Sequence, residues 1–206
     1  MAKKVRLGVL VSGGGTTLRN FIDKIAEGAL DAEIVVVISS RPGVYALERA
    51  GNAGIPAEVV NRKEYDSVEA FSEAITAVLD KYGVELATLA GFLSLYRIPY
   101  SYLGRVLNIH PALLPGHGGK GYYGDRVHAV VLESGDRESG CTVHFADNVY
   151  DHGPIAVQKR VPVLPGDTVE TLKKRVFEQE CIAYPEAINL FASGKLDALA
   201  AKLRKT

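Results

Sequence analysis

With 206 residues, 47% apolar and 23% charged, the chain has the make-up of a soluble globular protein with one substantial core, in one domain or a tightly joined pair. Twenty-four basic residues balance 24 acidic ones, so neither a nucleic-acid surface nor an anionic membrane is suggested, and no apolar run approaches the ~18 residues needed to span a bilayer. Met1-Ala2-Lys3-Lys4 leads straight into a strand-like run without a signal-peptide core, and Cys141 and Cys181 cannot build a disulfide framework; both point to a reducing cytoplasm.

In chain order, Val5–Val11 reads as a strand, followed by the loop Ser12-Gly13-Gly14-Gly15-Thr16-Thr17. Leu18, Phe21, Ile22, Ile25 and Ala26 then repeat at helical spacing. Ile34–Ile38 is an almost continuous apolar strand, as expected where both sheet faces are covered, and Ala57–Val60 a short third strand. Val68, Phe71, Ile75, Val78 and Leu79 mark a second helix, and Ala87–Phe92 a fourth strand. This alternation predicts an α/β fold: a Rossmann-like, mostly parallel twisted sheet flanked by helices.

Val106–His110 is the next strand, stopped by Pro111, and a Gly-rich loop runs from Gly116 to Gly124. Val127, Val130 and Val131 suggest a helix; Cys141–Ala146 and Ile155–Val163 read as strands joined by a turn, which makes the C-terminal portion partly antiparallel. The last long helix opens with Asp167, answered by Glu170 as in a capping box, and Pro185 is expected to kink it.

Chemistry concentrates in Asn108-Ile109-His110-Pro111-Ala112-Leu113-Leu114-Pro115, answered by Asp151-His152-Gly153-Pro154. Two apart on a strand, Asn108 and His110 share a face, at the C-terminal strand edge where open α/β sheets bind ligands. An amide beside an imidazole suits a carbonyl oxygen that is becoming negative. Asp151 before Gly-Pro reads equally as a turn former or as the carboxylate partner of His110.

The loop from Ser12 to Thr17 joins a strand to a helix N-terminus, where glycines let the backbone approach an anion and N–H groups donate. Leu18 stands where the third glycine of a dinucleotide fingerprint would be, and Ser39-Ser40-Arg41 offers no acidic residue for a ribose. A phosphate monoester is therefore favoured over NAD, with a plain tight turn as the alternative. Gly116–Gly121 and Gly119–Gly124 match G-x-G-x-x-G but follow Pro115 and no strand, so they read as a flexible loop; Lys120 lacks the following Ser or Thr of a Walker motif. His144 reads as a structural histidine, and His117, His128 and His152 as loop or surface residues. No His/Cys spacing suits zinc, and both cysteines read as buried apolar residues. Glu180 is either a rim charge or a ligand contact.

Together these motifs resemble the phosphoribosylglycinamide formyltransferases, within the folate-dependent formyltransferase superfamily. The likeness runs from the Ser12-Gly13-x-Gly15 loop through Leu89–Phe92, Asn108–Pro115 and Thr142–Phe145 to Asp151-x-Gly153-Pro154 and Glu180. The resemblance implies one formyltransferase domain over 1–206, with 1–100 as a phosphate-binding half and 101–206 as a catalytic and folate-binding half. It implies Asn108, His110 and Asp151 as catalytic. Gly13, Gly14, Gly15, Thr16 and Thr17 would hold the substrate phosphate, and Glu180 the ribose hydroxyls. Folate would be met by Arg62, Phe92, Leu93, Leu95 and Leu107, by Asn108 again, and by Ala146, Asp147 and Tyr150. Thr17 stands where the family usually has Asn, and the Gly116–Gly124 loop is longer and richer in glycine than in shorter members.

The implied substrates are glycinamide ribonucleotide and 10-formyltetrahydrofolate, with no metal, no nucleic acid and no membrane partner, in a monomer or homodimer. In the implied reaction His110 acts preferably as imidazolium, favoured by Asp151. A formyltetrahydrofolate hydrolase would be expected to carry an N-terminal regulatory domain, whereas the catalytic unit here begins at residue 1. A methionyl-tRNA formyltransferase would need a basic C-terminal domain. A non-catalytic nucleotide-binding module would have no use for Asn108 and His110 on one strand face.

Overall fold

The computed structural model describes residues 4–204, so Met1–Lys3 of the N-terminal reading lie outside the described residues. Five parallel strands, β1 (Val5–Val11), β2 (Ala32–Ser39), β3 (Ala57–Val59), β4 (Leu86–Leu89) and β5 (Val106–His110), are extended by β6 (Glu138–Phe145) and β7 (Ile155–Pro162). The sheet order is β3-β2-β1-β4-β5-β6-β7, with β6 antiparallel to β5 and β7 antiparallel to β6. The fold class read from the sequence is therefore borne out. After β1 the chain builds outward through β2 and β3, then returns to place β4 on the other side of β1. The crevice at that reversal is where ligands enter such sheets.

Alternate side chains of β1 feed two cores. Val9 and Val11 join Leu18 and Phe21 of α1 (Thr16–Ala26) and Val176, Ala183 and Tyr184 of α5 (Val169–Ala192). Leu10 joins Phe71, Ile75 and Leu79 of α3 (Val68–Lys81) on the opposite face. The period-two strand pattern and the i, i+3, i+4 helical stripes meet in this way.

Several boundaries differ from the sequence reading. α2 (Tyr45–Asn52) is short and buries only Ala46 and Ala50, a stripe too small to register as a helical period. β4 ends at Leu89, because from Ala90 the chain leaves the sheet to wall the cleft. α4 spans Asp125–Ser134, as the Val127 and Val131 spacing predicts.

The capping box of α5 lies one residue later than Asp167. Thr168 accepts from the Thr171 N–H at 3.3 Å, and Thr171 Oγ1 accepts from the Thr168 N–H at 2.9 Å. Asp167 instead binds Arg175 through two bonds of 2.6 and 2.9 Å, a bidentate geometry, and accepts from Thr171 Oγ1 at 2.8 Å, so it braces the box without being its cap. The helix then runs unbroken through Pro185 to Ala192. Proline deprives the carbonyl four residues back of its donor, and Asn20 Nδ2 of α1 donates to that Cys181 carbonyl at 3.0 Å.

Gly15 caps α1 in the left-handed region at φ 71°, and a Cβ there would stand 2.7 Å from Ala46 Cβ. Its glycine is demanded by the packing of α2, whereas side chains at Gly13 and Gly14 would meet nothing within 4 Å. Gly15→Val is accordingly expected to destabilise the fold by about 2–5 kcal/mol through backbone strain and overpacking. Urea unfolding beside a Gly14→Ala control checks this, and a Gly15→Val protein as stable as wild type would contradict it.

Candidate active site

A cleft of about 1340 Å³ opens along the C-terminal ends of β1, β4 and β5. Its volume exceeds the ~300–1,000 Å³ usual for one small ligand, so it has room for two. Its lining includes the polar Thr16, Thr17 and Arg41, the apolar Phe92, Leu93, Leu95 and Ile98, and Asn108, His110, Asp151 and Glu180.

At the centre, β5 delivers Asn108 and His110 to one face, as their spacing predicts. Pro111–Pro115 beyond them is fastened by β6 and β7. Thr142 Oγ1 donates to the Ala112 carbonyl at 2.7 Å and accepts from the Leu114 N–H at 3.1 Å; Gln158 Nε2 donates to the Leu114 carbonyl at 3.0 Å. Asp151 arrives on the 147–154 loop in the left-handed region, φ 52°. Gly153 lets that loop lie flat on β6, since a Cβ there would overlap the Phe145 carbonyl. Turn former and carboxylate partner are thus both true of Asp151. Its Oδ2 accepts from the Gly119 N–H at 2.9 Å and lies 3.4 Å from His110 Nδ1.

His144, read from sequence as structural, belongs to this cluster. Its Nδ1–H donates to the Phe145 carbonyl at 3.0 Å, which leaves Nε2 to accept from Asn108 Nδ2 at 3.1 Å. That bond orients the Asn108 amide with its nitrogen inward, and the other N–H makes only a 3.4 Å contact to Asp151 Oδ1. His144 Nε2 is also 3.7 Å from Asp151 Oδ1. The β5–β6 register, which pairs Asn108 with His144, is the signal that sequence alone lacked.

Burial lowers the His110 pKa below its usual value, and the facing Asp151 carboxylate opposes this only in part. In the free protein the balance favours the neutral ring. His110 is only 3% exposed, and that desolvation outweighs one carboxylate 3.4 Å away. Its Nε2–H donates to the His117 carbonyl at 2.8 Å. Burial alone would raise the Asp151 carboxyl, but the contacts with His144, His110 and the Gly119 N–H hold it below the ordinary aspartate value. Desolvation pushes Glu180 up to about 7.

Other expected residues fall variously. Ala146, Asp147 and Tyr150 line the cleft, held beside Ile98 by Asn148, whose amide exchanges bonds of 2.8 and 3.1 Å with the Ile98 backbone. Leu107 does not line it: one residue out of phase with Asn108, it is fully buried, and its carbonyl accepts from Tyr184 at 2.8 Å. Arg62 is not among the lining residues either; its guanidinium lies 5.6 Å from the Phe71 ring centre and donates to the Tyr65 carbonyl, while Arg41 lines the cleft. Gly13, Gly14 and Gly15, expected at a phosphate, are not among the lining residues, whereas Thr16 and Thr17 are. The carbonyls of Gly13 and Gly14 accept from Ala46 N–H and Arg49 Nε.

His128, expected at the surface, is buried on α4 at the cleft wall, and its Nδ1 has no partner. Cys181 is only half-buried, because it sits beside the exposed edge of α5, whereas Cys141 is fully buried. His152 is exposed and donates to Asp147, as its loop position suggests. Among the described residues no helix is long and apolar enough to cross a membrane.

A doubly wound sheet with a large cleft at its switch point, where an amide, an imidazole and a carboxylate converge, has the layout of an α/β active site. The formyl transferase family model matches residues 5–188, and the chain belongs to the formyl transferase family. It is 37% identical over 193 residues to the phosphoribosylglycinamide formyltransferase of Haemophilus influenzae, covering 93% of this chain and 89% of that one. It is 45% identical to the trifunctional purine biosynthetic protein adenosine-3 of Gallus gallus, but spans only 19% of that relative's length. The crystal structure of glycinamide ribonucleotide transformylase 1 from Symbiobacterium toebii superposes with a TM-score of 0.88 at 44% identity, covering 94% of this chain and 90% of that one. The resemblance read from the sequence is borne out at the level of the family.

Proposed function

We propose that this protein transfers the formyl group of 10-formyltetrahydrofolate to the amine of glycinamide ribonucleotide, in the cytoplasm, as a step of purine synthesis. The observation that carries this reading is the meeting of Asn108, His110 and Asp151 in a cleft lined by both polar and apolar residues. The whole chain acts as one domain, although its halves share the labour: residues of 1–100 supply Thr16, Thr17 and most of the apolar wall, and those of 101–206 the catalytic trio and Glu180. The nucleotide phosphate lies at Thr16, Thr17 and the N-terminus of α1, with Gly13–Gly15 shaping the turn behind it. The folate ring suits the apolar wall at Phe92, Leu93 and Leu95, where backbone of Ala146 and Asp147 offers edge contacts.

In the reaction the amine nitrogen bonds to the formyl carbon and the carbonyl oxygen becomes an oxyanion. Asn108 donates to it the N–H that is only loosely held by Asp151, while His144 keeps the amide from rotating. Asp151, ionised at neutral pH, takes the proton from the attacking nitrogen through water and shares it with His110 Nδ1. As the carbon–N10 bond breaks, that proton passes to N10. His110 thus gains its charge during turnover and not before it.

The decisive assay follows tetrahydrofolate release with and without glycinamide ribonucleotide. Release that requires the ribonucleotide supports the proposal. Release without it would indicate a hydrolase, and binding without release a nucleotide-binding module.

Glu180 adds a pH signature. With its pKa at about 7, the carboxyl is neutral below and charged above that pH, and the charged form is the stronger acceptor for ribose hydroxyls. The Michaelis constant for the ribonucleotide is expected to fall as pH rises from 6 to 8, and to be flat over that range in Glu180→Gln. The stability of the free protein should run the other way. Burial favours the neutral acid, so the stability present below the unfolded pKa is lost as pH rises through about 7. A wild-type Michaelis constant independent of pH would remove Glu180 from the ribose.

A further inference from the structure

The loop between β5 and α4 touches the catalytic pair at two points. The His117 carbonyl accepts from His110 Nε2 at 2.8 Å, and the Gly119 N–H donates to Asp151 Oδ2 at 2.9 Å. Gly118 between them passes so close that a Cβ there would stand 2.5 Å from Leu114 Cδ2 and 3.3 Å from Asp151 Cβ. From Gly116 to Gly124 no residue is buried, and glycines at 116, 118, 119, 121 and 124 leave this stretch little conformational preference of its own.

Beyond Pro115, a strong side-chain tie reaches this stretch from outside the catalytic cluster. His117 Nε2–H donates to Asp136 Oδ2 at 2.6 Å, across 19 residues, to the point where α4 has ended at Gly135. His117 also holds a left-handed backbone, φ 51°, that a histidine does not adopt for its own sake. A backbone strain of this kind persists only where side-chain contacts over-determine it. Release of the imidazole would let residue 117 relax, and its carbonyl would turn away from His110.

We propose that the His117–Asp136 pair is a latch that sets the orientation and proton position of His110, which makes His117 and Asp136 positioning residues for formyl transfer. The carbonyl of residue 117 fixes the neutral His110 tautomer with its proton on Nε2. Nδ1 then faces Asp151 Oδ2 across 3.4 Å, two acceptors between which the proton lost by the attacking amine can lie. Without the latch the ring can turn over or take the other tautomer, and the Nδ1 acceptor is no longer aimed. The charge of Asp136 acts at a distance, through His117, and touches neither substrate. This inference rests on the catalytic reading above, but its spectroscopic test does not.

Asp136 is half exposed beyond the end of α4, so replacing it leaves the core untouched. Asp136→Ala is expected to lower kcat by ~10–100-fold, the range for a modest misplacement of a catalytic group, with the Michaelis constants of both substrates changed less than about twofold. Asp136→Glu should restore most of that loss. In the same variants, NMR of the ring nitrogens should show the His110 Nε2–H signal and titration midpoint displaced in Asp136→Ala and returned in Asp136→Glu. A His110 signal identical in wild type and Asp136→Ala would overturn the latch, as would a kcat loss accompanied by an unchanged His110 spectrum. If the wild type transfers no formyl group, the functional reading fails and the NMR comparison still decides the latch.

Discussion

Asp151→Asn is expected to lose about 10²–10⁴-fold in kcat while the melting temperature stays near that of wild type. Asparagine tolerates the left-handed backbone at this position, and its oxygen can still accept from the Gly119 N–H. Its amide nitrogen would turn toward His144 Nε2, which is an acceptor, at the cost of only the long 3.4 Å contact from Asn108 Nδ2. What disappears is the charge facing His110 and the acceptor for the amine proton. Since that charge opposes the effect of burial, the His110 pKa should fall further below its already lowered value. Kinetics, thermal melting and an NMR titration of His110 on one preparation test all three parts. An active Asp151→Asn enzyme would leave Asp151 with its turn alone.

Asn108→Ala is expected to cost about 10²–10³-fold in kcat with little change in either Michaelis constant, because its donated bond strengthens only as the oxyanion forms. The free structure accounts for that timing. Of the two Asn108 N–H groups, one is committed to His144 at 3.1 Å, and the other waits on a 3.4 Å contact that a developing negative oxygen readily displaces. Steady-state kinetics together with calorimetric binding of each substrate separates this from a binding defect. Turnover near the wild-type level would refute the oxyanion role.

Much of this was legible in the chain itself, for identifiable reasons. Strand period two put Asn108 and His110 on one face, and Pro111 marked the strand edge; both are local rules, and both held. The strand–helix alternation led to the parallel sheet for the same reason. Leu107 fails by the same rule that places Asn108, since neighbours on a strand face opposite ways. What could not be read is set by pairing between distant segments. His144 joins the site only because β6 folds back on β5 in one register, and His128 is buried only because α5 covers α4. Arg62 sits at the end of the third strand, where its guanidinium finds the Phe71 ring, a packing choice with no local signature. The lowered His110 pKa likewise reflects total burial, which no spacing reveals.

The bond from Asn20 to the Cys181 carbonyl spans 161 residues and ties α1 to α5, the helix that carries Glu180. Phe21 and Tyr184 meet edge to face at 5.1 Å along the same seam. Leu18 and Phe21 of α1 rest on Val9 and Val11 of β1, but the same core is completed only by Val176, Ala183 and Tyr184 of α5, far along the chain. A chain cut ahead of α5 is therefore expected to leave part of this core uncovered and prone to association.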